Sequence, residues 1–545
     1  MNSEGGFAPL PTVVTRLAAR SSLPPPRNRL RRQSRRKEWN IERAVELRGV
    51  DKRFGDVYAV RGVSLEVSRG TIHGIVGENG AGKSTLMGIL SGYHQPDRGE
   101  IVVGGRPATI RRAQDALALG IGMVHQHFML VEPFTVLENV VLGAEGGVRL
   151  DAGLRRARAE LARLARDYGL EVDPDAPVAN LGVGERQRVE ILKALYRGAD
   201  VLILDEPTAV LTPAEAGHLF RILESLRGEG KTVILITHKL REILDATDVV
   251  TVMRGGRVVA TRPTAETSAE QLAELMVGRR VSLRVDKSPS RPGDPVLEVA
   301  DLVVEDGLGV ARVKGVSFTL RRGEIVGVAG VAGNGQSELL EALAGIRPVK
   351  SGRVRFKGRD LGDGGRSPRA LRRLGLAHVP EDRQRTGLIM PFTAQESAIL
   401  GYHDEPAYNG AIRLRREAVA SSFRRQADAY DVRPRDGASP TSAFSGGNQQ
   451  KIVLARELDR HPDLLLVGQP TRGVDIGAIE LIHRRLVELR DSGKAILLVS
   501  VELDEILALS DRILVMHAGR IVGDVPQEVA TEQTIGRLMA GVVSV

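Results

Sequence analysis

The sequence predicts a protein of two homologous α/β domains, and three observations support this fold class. The chain has 545 residues, which is too long for one hydrophobic core. The segment RGVSLEVSRGTIHGIVGENGAGKS (residues 61–84) returns as KGVSFTLRRGEIVGVAGVAGNGQS (residues 314–337). Within each copy, apolar runs such as IHGIV, VLILD and TVILIT alternate with helical stretches, which is typical of buried parallel strands in a layered α/β fold.

A second repeated segment indicates the domain limits. VMRGGRVVA begins at Val252 and returns as VMHAGRIVG at Val515, so the elements keep the same order in both copies. We therefore predict domains at residues 45–283 and 296–545. The segment between them, residues 284–295 (RVDKSPSRPGDP), is polar and contains three prolines, as expected of a short linker.

The basic character of the chain is concentrated at its start. Residues 1–44 contain ten Lys/Arg and three Asp/Glu, so they carry most of the net charge of +9. The rest of the chain is close to neutral, and no broad basic face for nucleic acid is expected. This first segment is rich in Pro, Ser and Arg, which predicts a disordered tail. Its expected role is electrostatic contact with anionic lipid beside a membrane partner. The alternatives are a dispensable tail or a start codon placed too early.

Two absences in the sequence narrow the function further. The chain has no cysteine, which excludes disulfides and cysteine-based zinc or iron–sulfur sites. No stretch approaches the ~18 apolar residues that a membrane-spanning helix needs. If the protein serves a membrane process, other subunits must therefore cross the bilayer.

The first copy carries a glycine-rich loop with the pattern G-x-x-x-x-G-K-[ST], between the strand IHGIV and the helix STLMGILSG. Its glycines allow backbone N–H groups to surround phosphate oxygens at the positive end of a helix dipole. Lys83 is expected to bind the β- and γ-phosphates, and Ser84 to ligate Mg²⁺. The members of the loop are Gly77, Glu78, Asn79, Gly80, Ala81, Gly82, Lys83, Ser84 and Thr85.

Two adjacent carboxylates end the buried strand in VLILDEPT. Burying acidic groups costs several kcal/mol unless they are compensated, so a purely structural role is disfavoured. We expect Asp205 to hold Mg²⁺ through water and Glu206 to polarise the attacking water in nucleotide hydrolysis.

With these motifs in place, the chain resembles the ATP-binding cassette (ABC) family over residues 45–545. The resemblance implies ATP and Mg²⁺ as cofactors. It also implies P-loop NTPase domains with a mainly parallel sheet core, an added antiparallel β part and a helical subdomain. Phe54 matches the aromatic residue that stacks on adenine, and His238 in LITHK matches the switch histidine that contacts the γ-phosphate. Gln126 in VHQHF matches the Q-loop residue that senses Mg²⁺ and contacts the transmembrane partner.

The second copy departs from the family pattern at each catalytic position. Gln336 replaces the lysine, and Gly468 and Gln469 replace the acidic pair. Val501 stands opposite the switch histidine, and Glu381 stands opposite Gln126. All groups that carry charge or a proton in hydrolysis are then missing, so negligible turnover is expected there. Whether this copy still binds nucleotide stays open.

The signature loop of the family, nominally LSGGQ, is kept in the second copy and altered in the first, which is the reverse of the phosphate loop. The second copy keeps Ser445, Gly446 and Gly447 in FSGGNQQ, whereas the first copy has LGVGERQ, with Gly182 and Val183 at the altered positions. In this family two cassettes pack head to tail, and each nucleotide site joins one phosphate loop to the other signature. The intact loop would then meet the intact signature, which favours pairing of the two cassettes within one chain. The alternative is that these are subfamily features without mechanistic weight.

In short segments such as LILDEPTAVLTP and QPTRGVDIGA, the sequence resembles the double-cassette subunits of simple-sugar and nucleoside importers. The resemblance implies two membrane permease subunits and, indirectly, an extracytoplasmic substrate-binding protein as partners. It also implies a peripheral position on the cytoplasmic face of the cell membrane. VEILKALYRGAD and TAVLTP favour nucleosides over sugars. A ribosome-associated double-cassette translation factor and a DNA-repair ATPase are the alternatives, but the short linker and the lack of cysteine disfavour them.

Overall fold

Two copies of one architecture follow each other along the chain, as the internal repeat predicts. The computed structural model describes residues 42–125, 128–144, 150–208, 211, 213–282, 285–331, 333–362, 367–410 and 413–541. The first copy comprises the described residues up to 282, and the second copy those from 285 onward. Each copy contains a four-stranded antiparallel sheet, a six-stranded mainly parallel sheet and a set of helices. The α/β fold class is confirmed for both.

The first copy begins with the antiparallel sheet and then builds the parallel one. Its strands are β1 Arg43–Phe54, β2 Val57–Ser68, β3 Ile72–Gly77, β4 Arg98–Val103, β5 Arg106–Ala108, β6 Ile121–Val124, β7 Val201–Asp205, β8 Thr232–Ile236, β9 Val249–Arg254 and β10 Arg257–Pro263. Its α-helices are α1 Lys83–Leu90, α2 Ala113–Ala118, α3 Val136–Val141, α4 Leu150–Tyr168, α5 Val183–Tyr196, α6 Pro213–Gly228, α7 Leu240–Ala246 and α8 Ala269–Val277.

The second copy repeats this order. Its strands are β11 Pro295–Glu305, β12 Ala311–Arg321, β13 Ile325–Ala329, β14 Ser351–Phe356, β15 Arg359–Asp360, β16 Leu376–Val379, β17 Leu464–Gly468, β18 Ala495–Val499, β19 Arg512–His517 and β20 Arg520–Pro526. Its α-helices are α9 Gln336–Leu343, α10 Pro368–Arg373, α11 Ala394–Ser397, α12 Arg416–Ala429, α13 Gly446–Leu458, α14 Ile476–Asp491, α15 Leu503–Leu509 and α16 Glu532–Met539.

The parallel sheets have the same strand order in both copies, β10-β9-β3-β8-β7-β6 and β20-β19-β13-β18-β17-β16. Only the edge strands β10 and β20 run antiparallel to their neighbours. The strands β3, β7 and β8 are buried along their whole length, which explains their continuous apolar sequences. Their carboxyl ends meet at one edge, where ligands bind in open α/β sheets.

The predicted boundaries can be compared with the elements on either side of them. Arg43 and Ala44, the last residues of the predicted tail, already belong to β1, because β1 pairs with β2 from Arg43 onward. Residues 1–41 lie outside the described residues. Within the predicted linker, the Lys287 ammonium donates to the carbonyls of Leu509 and Ser510 and pairs with Asp511 at 3.2 Å, so this segment is bound to the second copy. The division into tail, two domains and linker stays a prediction.

The two copies contact each other directly, and residues from Glu42 onward form one compact unit. Ile476 of α14 belongs to the same apolar cluster as Met276 and Val281 of the first copy. Beside this cluster, Arg279 pairs with Glu480 at 2.9 Å. Within the described residues, no helix is both long and apolar enough to cross a bilayer.

A buried polar cluster holds helix α13, which carries the second copy's signature loop at its start. Arg456 and Glu457 are both almost fully buried and pair at 2.8 Å. Arg456 also donates to the carbonyls of Gly387 and Ser397, and the Tyr402 hydroxyl donates to Glu457 at 2.7 Å. All members are therefore hydrogen-bonded, which buried charges require.

Replacing Arg456 with methionine is expected to destabilise the second copy strongly. Arg456→Met leaves the Glu457 carboxylate buried with no cation, at a cost of about 3–5 kcal/mol in the free energy of unfolding. The measurement is the thermal unfolding midpoint of the full chain. Arg433→Met, which removes an exposed ion pair with Asp431, is the control and should leave the midpoint nearly unchanged. Equal midpoints for the two variants would contradict this account of the cluster.

Candidate functional site

The glycine-rich loop of the first copy connects β3 to α1 and forms a tight cradle. A Cβ atom at Gly77 would lie 2.4 Å from the Met253 carbonyl oxygen, and one at Gly82 would lie 2.3 Å from the Ala59 carbonyl oxygen. Gly82 also has φ 97°, a left-handed conformation that side chains disfavour. The glycines of the motif are therefore needed for close packing against β2 and β9 as well as for phosphate access.

Lys83 is buried at the centre of this loop. Its ammonium group donates to the carbonyls of Gly77 at 2.7 Å and Glu78 at 3.0 Å, so the cation sits inside the cradle. Burial lowers its pKa, and the nearby carboxylates of Glu206 and Asp205 oppose that shift. The structure thus brings together the lysine and the acidic pair that the sequence separates by about 120 positions.

The acidic pair lies at the end of β7, with Asp205 as the last residue of the strand, directly beside the loop. Burial raises the pKa of Asp205 and the charge of Glu206 adds to this, whereas a hydrogen bond from the Ser84 hydroxyl works in the opposite direction. Burial also favours a higher pKa for Glu206. Its hydrogen bond to His238, together with the charges of His238 and Lys83, outweighs burial and keeps the pKa below its usual range. Glu206 is therefore held ionised, as a group that polarises water must be.

Glu206 has an unusual backbone that aims its side chain. Its φ is 49°, in the left-handed region, and its N–H donates to the Ile236 carbonyl of β8 at 2.8 Å. The His238 Nδ1 atom lies 3.0 Å from the Glu206 carboxylate. Non-glycine residues in this conformation concentrate at functional sites, because the surrounding structure must hold them there. The predicted switch histidine and the predicted catalytic carboxylate are therefore in contact.

Two further site residues, Phe54 and Gln126, were predicted from the resemblance to the ABC family. Phe54, at the end of β1, is 45% exposed and contacts the His94 ring edge to face, with centroids 5.2 Å apart. Its ring is thus available at the surface, as an adenine-stacking residue must be. Gln126 lies outside the described residues.

The phosphate loop of the first copy meets the signature region of the second copy. The Asn79 N–H donates to the Asp475 carboxylate at 3.0 Å, and the Gly477 N–H donates to the Glu78 carboxylate. A Cβ atom at Gly447 would lie 3.7 Å from the same Asp475 carboxylate. Asp475 therefore lies between the first phosphate loop and the signature loop of Ser445, Gly446 and Gly447. Sequence reasoning did not single out Asp475, although it lies within the quoted segment QPTRGVDIGA.

The second copy preserves the backbone of the site while changing its side chains. Gln469 has φ 49°, and its N–H donates to the Val499 carbonyl at 2.8 Å, which repeats the geometry of Glu206. The Gln336 side chain donates to the Val331 carbonyl within its own loop. These neutral groups occupy the positions that match Glu206 and Lys83 in the first copy.

The second site contains one carboxylate, that of Glu381, although neutral residues stand at the positions of the groups expected to act in hydrolysis. The Glu381 carboxylate accepts hydrogen bonds from the Ser337 hydroxyl and from the Gln469 side chain. Burial raises its pKa, and these two hydrogen bonds oppose the shift. Comparison of the two repeats places Glu381 opposite Gln126, and nothing in the sequence indicates that the Glu381 side chain reaches Ser337.

The residues of the first site fit a magnesium nucleotide. The loop leaves no room for side chains at Gly77 or Gly82. The Lys83 ammonium group lies inside the loop, as phosphate binding requires. Among the described residues, no group of three or more His, Cys, Asp or Glu side chains is arranged to hold a metal alone. A Mg²⁺ ion would therefore be bound by Ser84 and Asp205 together with phosphate oxygens and water, which is how Mg²⁺ is usually bound in such sites.

Comparison with known proteins agrees with this geometry. The family model described as ABC transporter matches residues 60–209 and 313–472. The chain is 49% identical over 500 residues to the nucleoside import ATP-binding protein NupA of Lactococcus lactis subsp. cremoris (strain MG1363), covering 92% of this chain and 98% of the relative. It is 46% identical over 501 residues to the guanosine import ATP-binding protein NupO of Bacillus subtilis (strain 168), with the same coverage.

More distant relatives and solved structures extend the comparison. The chain is 44% identical to the glucose import ATP-binding protein TsgD13 of Haloferax volcanii (strain ATCC 29605), covering 91% of this chain and 96% of the relative. The archaeal ribosome recycling factor, solved in complex with a ribosomal stalk protein, has a TM-score of 0.59 at 20% identity and covers 91% of this chain and 92% of its own. That likeness shows the double-cassette fold alone. From the matching family model, the near full-length relatives and the site geometry, the chain belongs to the ABC transporter family and is an ATP-binding, ATP-hydrolysing subunit with two cassettes.

Proposed function

We propose that this chain energises the import of nucleosides by hydrolysing ATP at its first site alone, with simple sugars as the alternative cargo. The observation that carries the proposal is the contact of Glu206 with His238 beside the Lys83 cradle, a set of groups that the second copy lacks. The two relatives of highest identity reported above are named for nucleoside and guanosine import, and the glucose import relative is less similar.

The proposed chemistry follows from the residues of the first site. Loop N–H groups and Lys83 bind the phosphates, and Phe54 stacks on adenine. Glu206 polarises the water that attacks the γ-phosphate, while His238 orients the Glu206 carboxylate. Ser84, Asp205 and Gln126 would hold Mg²⁺, which when bound neutralises charge on the phosphate oxygens. Ser445, Gly446 and Gly447 complete the site from the second copy.

The ion pairs between the copies support pairing within one chain. Lys239 and Glu502 occupy equivalent positions, each directly after the switch position, and their side chains meet at 3.2 Å. Two residues further along, Arg241 and Asp504 are again equivalent and meet at 2.8 Å. Cations of the first copy thus face anions of the second. Two first copies facing each other would place like charges together, so complementarity favours the unlike pair.

The proposed partners are two membrane permease subunits and, through them, an extracytoplasmic binding protein, with this chain at the cytoplasmic face of the membrane. ATP binding would close the two cassettes and hydrolysis would reopen them, which moves cargo only if the permeases bind it differently in the two states. The importer relatives, at 44–49% identity, favour this assembly over a ribosome-associated role.

Substitution of Glu206 tests the asymmetry of the two sites. Glu206→Gln should lower ATP hydrolysis about a hundredfold or more, because the group that polarises water is lost, while ATP binding is retained. Lys83→Ala should abolish hydrolysis as well. Gln469→Ala, at the matching position of the second copy, is the control and should leave turnover nearly unchanged. The measurement is steady-state phosphate release. A large loss in Gln469→Ala would contradict hydrolysis at the first site alone.

Cross-linking tests the pairing within one chain. The chain has no native cysteine, so Arg241→Cys with Asp504→Cys introduces the only two thiols. A short bismaleimide reagent should join them within one chain, and gel electrophoresis should show an altered mobility at single-chain mass. Arg241→Cys with Arg433→Cys is the control and should give little of this product. Products of twice the chain mass as the main species would instead indicate pairing between chains.

Isolation of the native complex tests the importer assignment. The tagged full chain, recovered from gently solubilised cell membranes, should carry two hydrophobic permease subunits that mass spectrometry identifies. The complex can then be reconstituted and tested for ATP-dependent uptake of labelled nucleosides and sugars. Recovery of ribosomal proteins with nothing from the membrane would overturn the proposal in favour of the translation-factor class.

A further inference from the structure

A carboxylate outside the predicted motifs connects the two segments of the first copy that carry Glu206 and His238. Glu242 lies in the first turn of α7, and its side chain is only 12% exposed. The Thr208 hydroxyl donates to one of its oxygens at 2.5 Å, and the Thr237 hydroxyl donates to the other at 3.0 Å. Both threonines are almost fully buried. The carboxylate therefore bridges the segments that follow β7 and β8.

Only a few covalent bonds separate this bridge from Glu206 and His238. Thr208 comes two residues after Glu206, and Thr237 directly precedes His238. The Thr237 hydroxyl also accepts from the Lys239 N–H at 3.0 Å, so it fixes the backbone on both sides of His238. A bridge between the two threonines therefore restrains the distance at which the His238 ring meets the Glu206 carboxylate.

The surroundings of Glu242 make this bridge difficult to replace. Burial raises the pKa of its carboxyl group, and the Thr208 hydrogen bond and the charge of Lys239 are the strongest influences against that shift. The Lys239 ammonium lies 3.9 Å from the carboxylate and favours its ionised form. Hydrogen bonds to an ionised acceptor are roughly twice as strong as neutral ones. Loss of the carboxylate would leave two buried hydroxyls without this acceptor.

The second copy retains the carboxylate but, within the described residues, not the bridge. Glu505 occupies the position of Glu242, and one of its oxygens lies 3.1 Å from the His483 Nε2 atom of α14. Its other oxygen has no hydrogen-bond partner in the described part of the chain. The first copy has Phe220 at the position of His483, and a phenyl ring cannot hydrogen-bond to a carboxylate. The bridge therefore belongs to the copy to which we assign hydrolysis.

We propose that Glu242 is a positioning residue for ATP hydrolysis, which holds Glu206 and His238 at the separation that the reaction requires. It acts through its two threonines and takes no part in proton transfer. This role rests on the proposed function, since it assumes that Glu206 polarises the attacking water. A misplacement of about 1 Å can lower a rate about a hundredfold, so loss of the bridge lowers the rate of hydrolysis rather than the affinity for ATP.

The test measures steady-state phosphate release by the full chain carrying Glu242→Leu, which keeps the size of the side chain and removes both acceptor oxygens. The kcat should fall about tenfold or more, while the KM for ATP changes by less than about twofold, because the phosphate loop is untouched. Glu242→Gln keeps one acceptor oxygen and should recover much of the kcat. Thr208→Val should lower the kcat of the native chain but have little further effect in Glu242→Leu, since that interaction is already lost.

Glu505→Leu, at the matching position of the second copy, is the control and should leave both kcat and KM nearly unchanged. Thermal unfolding midpoints establish that each variant is folded. If Glu242→Leu does not fold, Thr208→Val carries the test, because it removes a single hydrogen bond and keeps the shape of the side chain.

An unchanged kcat in a folded Glu242→Leu or in Thr208→Val would refute the positioning role. Equal losses in Glu242→Leu and Glu505→Leu, or a raised KM with an unchanged kcat, would show that the carboxylate serves folding or binding instead. Glu206→Gln, measured in parallel, separates the two proposals. Retained hydrolysis in Glu206→Gln contradicts the proposed function, whereas its loss there and its retention in Glu242→Leu contradict the role of Glu242 alone.

Discussion

The buried ammonium group of Lys83 is the charge on which the first site depends. Removing a cation from water is costly, and the loop compensates with two carbonyls and the nearby carboxylates of Asp205 and Glu206. The carboxylates in turn rely on the cation, because two adjacent acids would otherwise raise each other's pKa. The lysine, the acidic pair and His238 therefore form one electrostatic unit, and the sheet brings its parts together at the carboxyl ends of β3, β7 and β8.

The same dependence explains why the second copy changed as a group. With Gln336 in place of the lysine, an acidic pair at the end of β17 would have no cation to balance it, and Gly468 and Gln469 are indeed neutral. The backbone was retained nevertheless, since Gln469 keeps the left-handed conformation of Glu206. The Glu381 carboxylate is stabilised by hydrogen bonds from Ser337 and Gln469 and by the charge of Arg472, rather than by a lysine.

The asymmetry extends to the contact between the copies. Asp475 of the second copy accepts from the first phosphate loop, so the intact loop is bound directly to the copy that carries the intact signature. The pairs Lys239–Glu502 and Arg241–Asp504 are largely exposed and contribute little stability each. They favour pairing of a first copy with a second copy over pairing of two first copies, because equivalent positions in the two copies carry opposite charges. Lys239 directly follows His238, so the interface is coupled through one peptide bond to the residue that contacts Glu206.

The sequence by itself determined the α/β class, the repeat, the glycine loop and the buried strands, because these depend on local spacing and on apolar periodicity. It also singled out Lys83, Asp205 and Glu206 through their motifs, and His238 through the resemblance to the ABC family. Tertiary structure alone decided which side chains meet across elements distant in sequence: Asp475 against Asn79, and Glu381 against Ser337. Alignment placed Glu381 opposite Gln126, but a side chain's partner depends on the space around it. That space was set by the missing Cβ of Gly468, which only the packed strands reveal.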